Sequence, residues 1–330
     1  MVVYLDYNAT TPLDASVCSV IKNSFVHWAN PSSNYPTGVE AKKIISEARK
    51  HIASMINARG EDIVFTSGGT EANNMVLFGV LHYFKDWLND RDLTRSCEKP
   101  HVITTNVEHD SVILPLKHLQ KKGEIDLTIV PVLSGGCISE DDILREVRRS
   151  TCLITVMLAN NETGVIMPVE KIGRALKEIN KQRQKDGGIG ILFHTDAAQA
   201  MGKIHVDVDV LQVDYMTIVG HKETFEDDVI INCNTDVKRL PNTCNISFRK
   251  KDLFGHVVLS KCSNIMASVG AACHAQNKPS GILIASGVAH SLALNAIRLS
   301  VGRETSKSDI DIAVSDLQAA VLKIKGEHSN

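Results

Sequence analysis

Apolar residues along this chain fall into short blocks that alternate between two spacings. Continuous runs such as CLITVML at 152–158 have the length of one buried strand in a parallel sheet. Comparable runs stand at 62–67, 101–106, 127–132, 189–193 and 215–219. Between them the period lengthens. Over 38–56, Ile44, Ala48, Ile52 and Met55 share one helical face while Lys43, Glu47 and Lys50 lie elsewhere. Further helices are expected over 71–87, 111–122, 139–148 and 168–184. Ser139 and an acidic first turn open the third of these, and Pro168 opens the fourth. Such repeated strand–helix units imply an α/β fold with a mostly parallel sheet covered on both faces. Past residue 222 the pattern changes to strands near 229–233 and 244–248, a helix from about 252 and a last amphipathic helix over 308–325.

Composition narrows the partners more than the fold. A length of 330 residues suits one large domain or two, and a net charge of -2 gives no reason to expect nucleic acid. No apolar run approaches membrane-spanning length, and the first residues lack a basic leader pattern, so the cytosol is the expected address. None of the eight cysteines is spaced as C-x-x-C, and the thirteen histidines form no ligand cluster with them. Neither a metal site nor a disulfide framework is expected.

The candidate chemistry sits where strands end. After the run at 62–67 the chain reads Gly68-Gly69-Thr70 and enters a helix, which is a natural anion cup of backbone N–H groups, a hydroxyl and a helix N-terminus. An ordinary capped turn has the same pattern. His109, Asn160-Asn161-Glu162, Asp196 with Gln199, and His221 with Lys222 each follow a different strand. In open α/β sheets ligands bind at that edge. A lysine desolvated there becomes a usable nucleophile toward a carbonyl. A phosphate cup, a carboxylate, a histidine and a lysine on one edge suit pyridoxal phosphate. The lysine would hold its aldehyde as a Schiff base, and the carboxylate would keep its ring nitrogen protonated.

These runs resemble a known family. DYNATTP at 6–12, FTSGGTE at 65–71, VEHD at 107–110, ANNETG at 159–164, HTDAAQ at 194–199 and GHK at 220–222 look like the class V aminotransferase-fold cysteine desulfurases. The stretches 158–169, 194–203 and 266–274 look more closely like the animal selenocysteine lyases. The resemblance extends over nearly the whole chain and implies a fold-type I transferase, with a large sheet domain and a smaller α+β C-terminal domain. It further implies that Lys222 carries the cofactor, His109 stacks on its ring and Asp196 pairs with the ring nitrogen. Gln199 and Asn161 would face the ring hydroxyl, and Gly69, Thr70 and His221 the phosphate. Val219 stands where bacterial relatives have a second phosphate-binding hydroxyl. Arg298, in NAIRLSVGR at 295–303, falls at the substrate-carboxylate clamp, with Arg303 the less favoured of the pair. Cys273 falls at the reactive thiol, with His274 beside it.

The resemblance breaks after Lys222. The family continues with an antiparallel strand, a glycine-rich loop whose threonine reaches the partner subunit's phosphate, and a long helix. This chain instead reads ETFEDD at 223–228 and rejoins the small domain by residue 239. The expected organisation is therefore a shortened large domain over 1–222, an acidic connector over 223–238 and a small domain over 239–330. The expected activity is a lyase taking L-selenocysteine to L-alanine. Its relatives are homodimers, a state that the missing segment puts in question here. The alternatives are a cysteine desulfurase that forms a persulfide on Cys273, and an inactive variant.

Overall fold

The computed structural model describes residues 2–91, 98–222, 237–249, 253–270 and 278–327. Of the sequence expectations, Cys273, His274, the acidic run at 223–228 and the strand at 229–233 lie outside the described residues. Only the backbone of Lys222 is described.

Strand β1 (Val3–Tyr4) leads into helices α1 (Ala15–Ser24), α2 (Pro36–Met55) and α3 (Gly69–Asn89). Strict alternation follows, with β2 (His101–Thr105), α4 (Asp110–Lys121), β3 (Asp126–Val130), α5 (Glu140–Arg145) and β4 (Thr151–Thr155). Helix α6 (Val169–Lys185), β5 (Leu192–Asp196), α7 (Val208–Leu211) and β6 (Tyr215–Thr217) complete it. The sheet order is β3-β2-β4-β5-β6, and every pairing is parallel. Neighbouring residues of a strand enter opposite cores. Val102 and Leu153 pack with Leu77, Phe84 and Leu116 of α3 and α4, while Ile103 and Ile154 pack with Ile143, Ile172 and Leu176 of α5 and α6. A strand buried on both faces must be apolar throughout, which is why 152–158 reads as an unbroken run. Burial of a side chain such as Phe193 in this core contributes about 1.5–3 kcal/mol.

The C-terminal part is a second layer. Strands β7 (Thr243–Ser247) and β9 (Ala296–Ser300) pair antiparallel, and α8 (Gly255–Lys261) and α11 (Lys307–Glu327) pack on them through Val258, Ile297, Leu317 and Ile324. Between these lie β8 (Ile265–Met266), α9 (Gly281–Ala285) and α10 (His290–Leu294). β1 pairs parallel with β8, so the N-terminal residues lie against this layer.

Two expectations need correction. Residues 62–67 are not a strand. Gly60–Asp62 is a 3-10 turn, and residues 63–66 pair with no strand among the described residues. This segment leads into α3 beside β6, where a Cβ at Gly69 would stand 2.9 Å from the Val219 side chain. β6 is the outer strand there, with Tyr215 45% exposed, and nothing described fills the space between them. The segment is held from α2 instead: Arg49 Nε donates to the Ile63 carbonyl (3.0 Å), and its guanidinium lies over the Phe65 ring. Helix α2 matches its expected extent, yet its foretold face is not the buried one. Ala41 and Ala53 are buried, whereas Met55 is 41% exposed. The helix packs chiefly against the turn at Gly60–Asp62 that follows it.

Candidate active site

The carboxyl ends of β2, β4, β5 and β6 converge on one cavity with the start of α3. Gly69, Thr70, His109, Asn161, Asp196, Gln199 and His221 all line it, so seven residues that had been named at the ends of five separate apolar runs share one wall. Asn73, Ser111, Met157 and Ala198 line it too. The sequence reading missed these. Asn73 and Ser111 fall at helical positions where a polar residue usually faces solvent, and nothing in their spacing marks them as buried.

Asp196 closes β5 and is buried. Its Oδ1 accepts from the Ala198 N–H and its Oδ2 from Asn73 Nδ2, both at 3.0 Å. His109 is the residue that caps α4: its Nδ1 accepts from the Ser111 N–H at 3.2 Å. Asn161 lies in the turn after β4, which Asn160 ties down by accepting from the N–H groups of Glu162 and Thr163. Gln199 Nε2 donates to the Asn8 carbonyl, and its Oε1 accepts from the buried Lys203 ammonium at 2.8 Å. Lys203 also reaches Asn8 Oδ1, and Asn8 Nδ2 bonds the Asn161 carbonyl and Thr243. Asn8 thus ties the cavity wall to the C-terminal layer.

The cup at 68–70 opens α3 and is largely exposed. Glu71 takes the Ser67 N–H, so one donor of the turn is already engaged by an internal carboxylate. His221 and Lys222 form a 3-10 turn after β6, pinned where the Thr11 N–H donates to the His221 carbonyl at 2.9 Å.

Arg298 stands on β9, a strand the sequence reading did not foresee, and it is not part of the cavity lining. It is nearly fully buried, bonds Asp6 at 2.5 Å and the Asn161 carbonyl at 2.9 Å, and its Nε has no partner among the described residues. Through Asn161 it sits directly behind the cavity wall. Arg303 pairs with Asp14 at the surface, 289 residues away in sequence.

Two kinds of buried titratable group support the site from below. His194 lies between Thr155 and Thr217 hydroxyls, and His101 between those of Thr151 and Thr128; burial pushes both rings down to about 4. Burial pushes the Glu108 carboxyl up to about 8, although the Thr105 hydroxyl and the Met157 N–H donate to it. From about pH 7.5 to 8 both imidazoles are largely neutral whether the chain is folded or not. Glu108 in that window holds a proton in the fold that the unfolded chain releases, so stability falls as pH rises. The slope from this group is at most about 1.4 kcal/mol per pH unit. Urea titrations across this window are expected to show the decline, and Glu108→Gln to flatten it. An equally steep decline in the variant would remove Glu108 as its source.

A site built for pyridoxal phosphate needs unspent polar groups at the cavity and a close backbone approach at the phosphate end. Asn161 Oδ1 is buried without a partner among the described residues, and a Cβ at Gly69 would crowd the Val219 side chain at 2.9 Å. The residues present fit the group.

The family model described as aminotransferase class-V matches residues 3–225. The selenocysteine lyase of Xenopus tropicalis is 41% identical, over 96% of this chain and 93% of that protein. That of Homo sapiens is 40% identical, over 98% and 93%. The alignment with the Xenopus protein runs over 400 positions, so at least 70 of them face no residue of this 330-residue chain. A mitochondrial cysteine desulfurase of Arabidopsis thaliana is 31% identical over 98% of the chain and 83% of its own length. Among solved structures, a NifS-like protein superposes with a TM-score of 0.79 at 25% identity, over 98% of this chain and all of that one. A protein described as SspA in complex with cysteine gives 0.74 at 26% identity, over 91% and 98%.

Proposed function

Because the chain belongs to the aminotransferase class-V family, we propose that it is a pyridoxal-phosphate-dependent lyase that converts L-selenocysteine to L-alanine and releases selenium. The observation that carries this reading is the cavity itself, where Asp196, His109, Asn161 and the Gly69–Thr70 turn face one space beside the Lys222 backbone.

Pyridoxal phosphate, bound there, supplies an electron sink for the bond broken at the substrate's α-carbon. Everything else falls to this chain. The α3 N-terminus and Thr70 bind the phosphate, with His221 closing the same end. Asp196 holds a proton on the ring nitrogen, and its two donors keep the carboxylate aimed. Gln199 and Asn161 orient the ring hydroxyl, while His109 covers the ring face. Lys222 Nζ anchors the cofactor and then moves the proton off the substrate Cα. Arg298, whose guanidinium is held by Asp6 and the Asn161 carbonyl behind the cavity wall, takes the substrate carboxylate. Cys273, outside the described residues, acts at the selenium as acid or acceptor. The same reading makes the enzyme a cytoplasmic homodimer. Among the described residues, Cys18, Cys137, Cys152 and Cys262 are thiols outside any disulfide, which suits a reducing compartment, and the apolar exposure of α1 suits a partner subunit.

A second reading, cysteine desulfurase, has support in the 31% identical relatives and the cysteine-bound neighbour. Alanine formation from L-selenocysteine and from L-cysteine, with the cofactor in excess, decides between them. Turnover of selenocysteine at least tenfold faster is expected, and equal or reversed rates would favour the desulfurase. Cofactor that never binds would leave the inactive variant. In the same assay Arg298→Ala is expected to raise KM about tenfold or more through loss of a charge-assisted pair, with Arg303→Ala near wild type. The reverse ranking would move the clamp to Arg303.

A further inference from the structure

We infer that Asn73 and Ser111 are positioning residues, forming a hydrogen-bond relay from Asp196 to His109 that fixes the proton of the neutral His109 ring on Nε2. The inference rests on the lyase reading for its catalytic meaning, and on geometry alone for the ring itself.

All four side chains line the cavity, and Asn73 and Ser111 lie buried between α3 and α4. Asn73 Nδ2 donates to Asp196 Oδ2 at 3.0 Å and to Ser111 Oγ at 2.9 Å. Ser111 Oγ lies 2.8 Å from His109 Nδ1, and the Ser111 N–H reaches the same nitrogen at 3.2 Å. The direction of each bond follows from its neighbour. A carboxylate accepts only, so the Asn73 amide must turn its nitrogen toward Asp196. Turned that way, its second N–H meets Ser111 Oγ, and its oxygen is left buried without a partner among the described residues. The flipped amide would set oxygen against oxygen at Asp196. The serine, having accepted from Asn73, passes its own proton to His109 Nδ1. A backbone N–H can only donate, so the Ser111 N–H demands the same of that nitrogen. Nδ1 is therefore an acceptor twice over, and the neutral ring carries its proton on Nε2.

For a lyase this sets two groups by one device. The carboxylate that faces the cofactor's ring nitrogen and the imidazole that covers its face are held in mutual register by two neutral side chains. The relay adds no charge to the cavity. His109 then has a single N–H to offer, at Nε2.

The experiment uses the full chain with 15N-labelled histidine, free of cofactor, and reads the His109 tautomer from long-range proton–nitrogen correlations at neutral pH. Wild type is expected to show Nε2–H. Asn73→Leu, which removes both donors, is expected to make the Nδ1–H form detectable. Ser111→Ala is expected to do the same and, with the cofactor bound, to lower kcat about tenfold with KM unchanged, the worth of one buried hydrogen bond. Ser111→Thr, which keeps the hydroxyl, should restore both. An Nδ1–H ring in wild type would overturn the relay, as would a Ser111→Ala protein with unaltered tautomer and kcat. Should the chain prove to bind no pyridoxal phosphate, the lyase reading fails while the cofactor-free spectrum still decides the ring.

Discussion

Lys222→Ala is expected to leave a chain that turns over neither amino acid above background and binds pyridoxal phosphate only reversibly. Losing the proton transfer at Cα alone costs about 10²–10⁴-fold, and losing the covalent anchor adds to it. The placement supports this role: β6 ends at Thr217, and the 3-10 turn at Gly220–Lys222 is tied to the N-terminal segment through the Thr11 N–H and the His221 carbonyl. That tie sets the turn beside the cavity, and Lys203, a buried lysine behind Gln199, is bonded to Asn8 and Gln199. Borohydride reduction followed by peptide mapping reads the anchor directly. Cofactor fixed to a lysine in the variant would move the role to another residue, with Lys203 the first to examine.

The strand ends were the legible part of this site. Parallel strands buried on both faces must be apolar, so polar residues immediately after them stand out, and His109, Asn161, Asp196 and Gln199 were found that way. Asn73 and Ser111 were not, because a buried polar residue on a helix has the sequence signature of an exposed one. Arg298 was assigned by resemblance, while its strand escaped notice: AIRLS alternates weakly, and only pairing with β7 makes it a strand. The opposite error was made at 62–67. Its composition reads as a strand, but strand formation needs a neighbour, and no strand among the described residues pairs with it. The relatives' extra alignment positions agree with this chain being shorter than they are.

Asp196→Asn is expected to keep the fold and to lower turnover about 10²–10³-fold, as loss of a preorganised charge at a reacting centre does. The Ala198 N–H requires the new amide's oxygen on one side, which turns its NH2 toward Asn73. Two N–H groups then face each other until Asn73 flips. The substitution therefore removes the charge beside the cofactor's ring nitrogen and reverses the next bond in the wall. A visible spectrum of the reconstituted variant, set beside its rate with selenocysteine, separates weakened binding from weakened chemistry. Turnover within tenfold of wild type at saturating cofactor would take Asp196 out of the mechanism.

Helix α1 has no buried residue, and the chain around it leaves Val20, Phe25, Val26 and Trp28 between 67% and 86% exposed. A ten-residue helix without tertiary support is marginal in water, because its own hydrogen bonds barely offset nucleation. Its opening free energy therefore lies near zero, while β2 and β4, buried on both faces, open only with the whole sheet. One chain holds both extremes. In the chain without a partner subunit, helicity is expected to be lost first from residues 15–24 on warming while the sheet persists, so a single melting temperature would not describe that form.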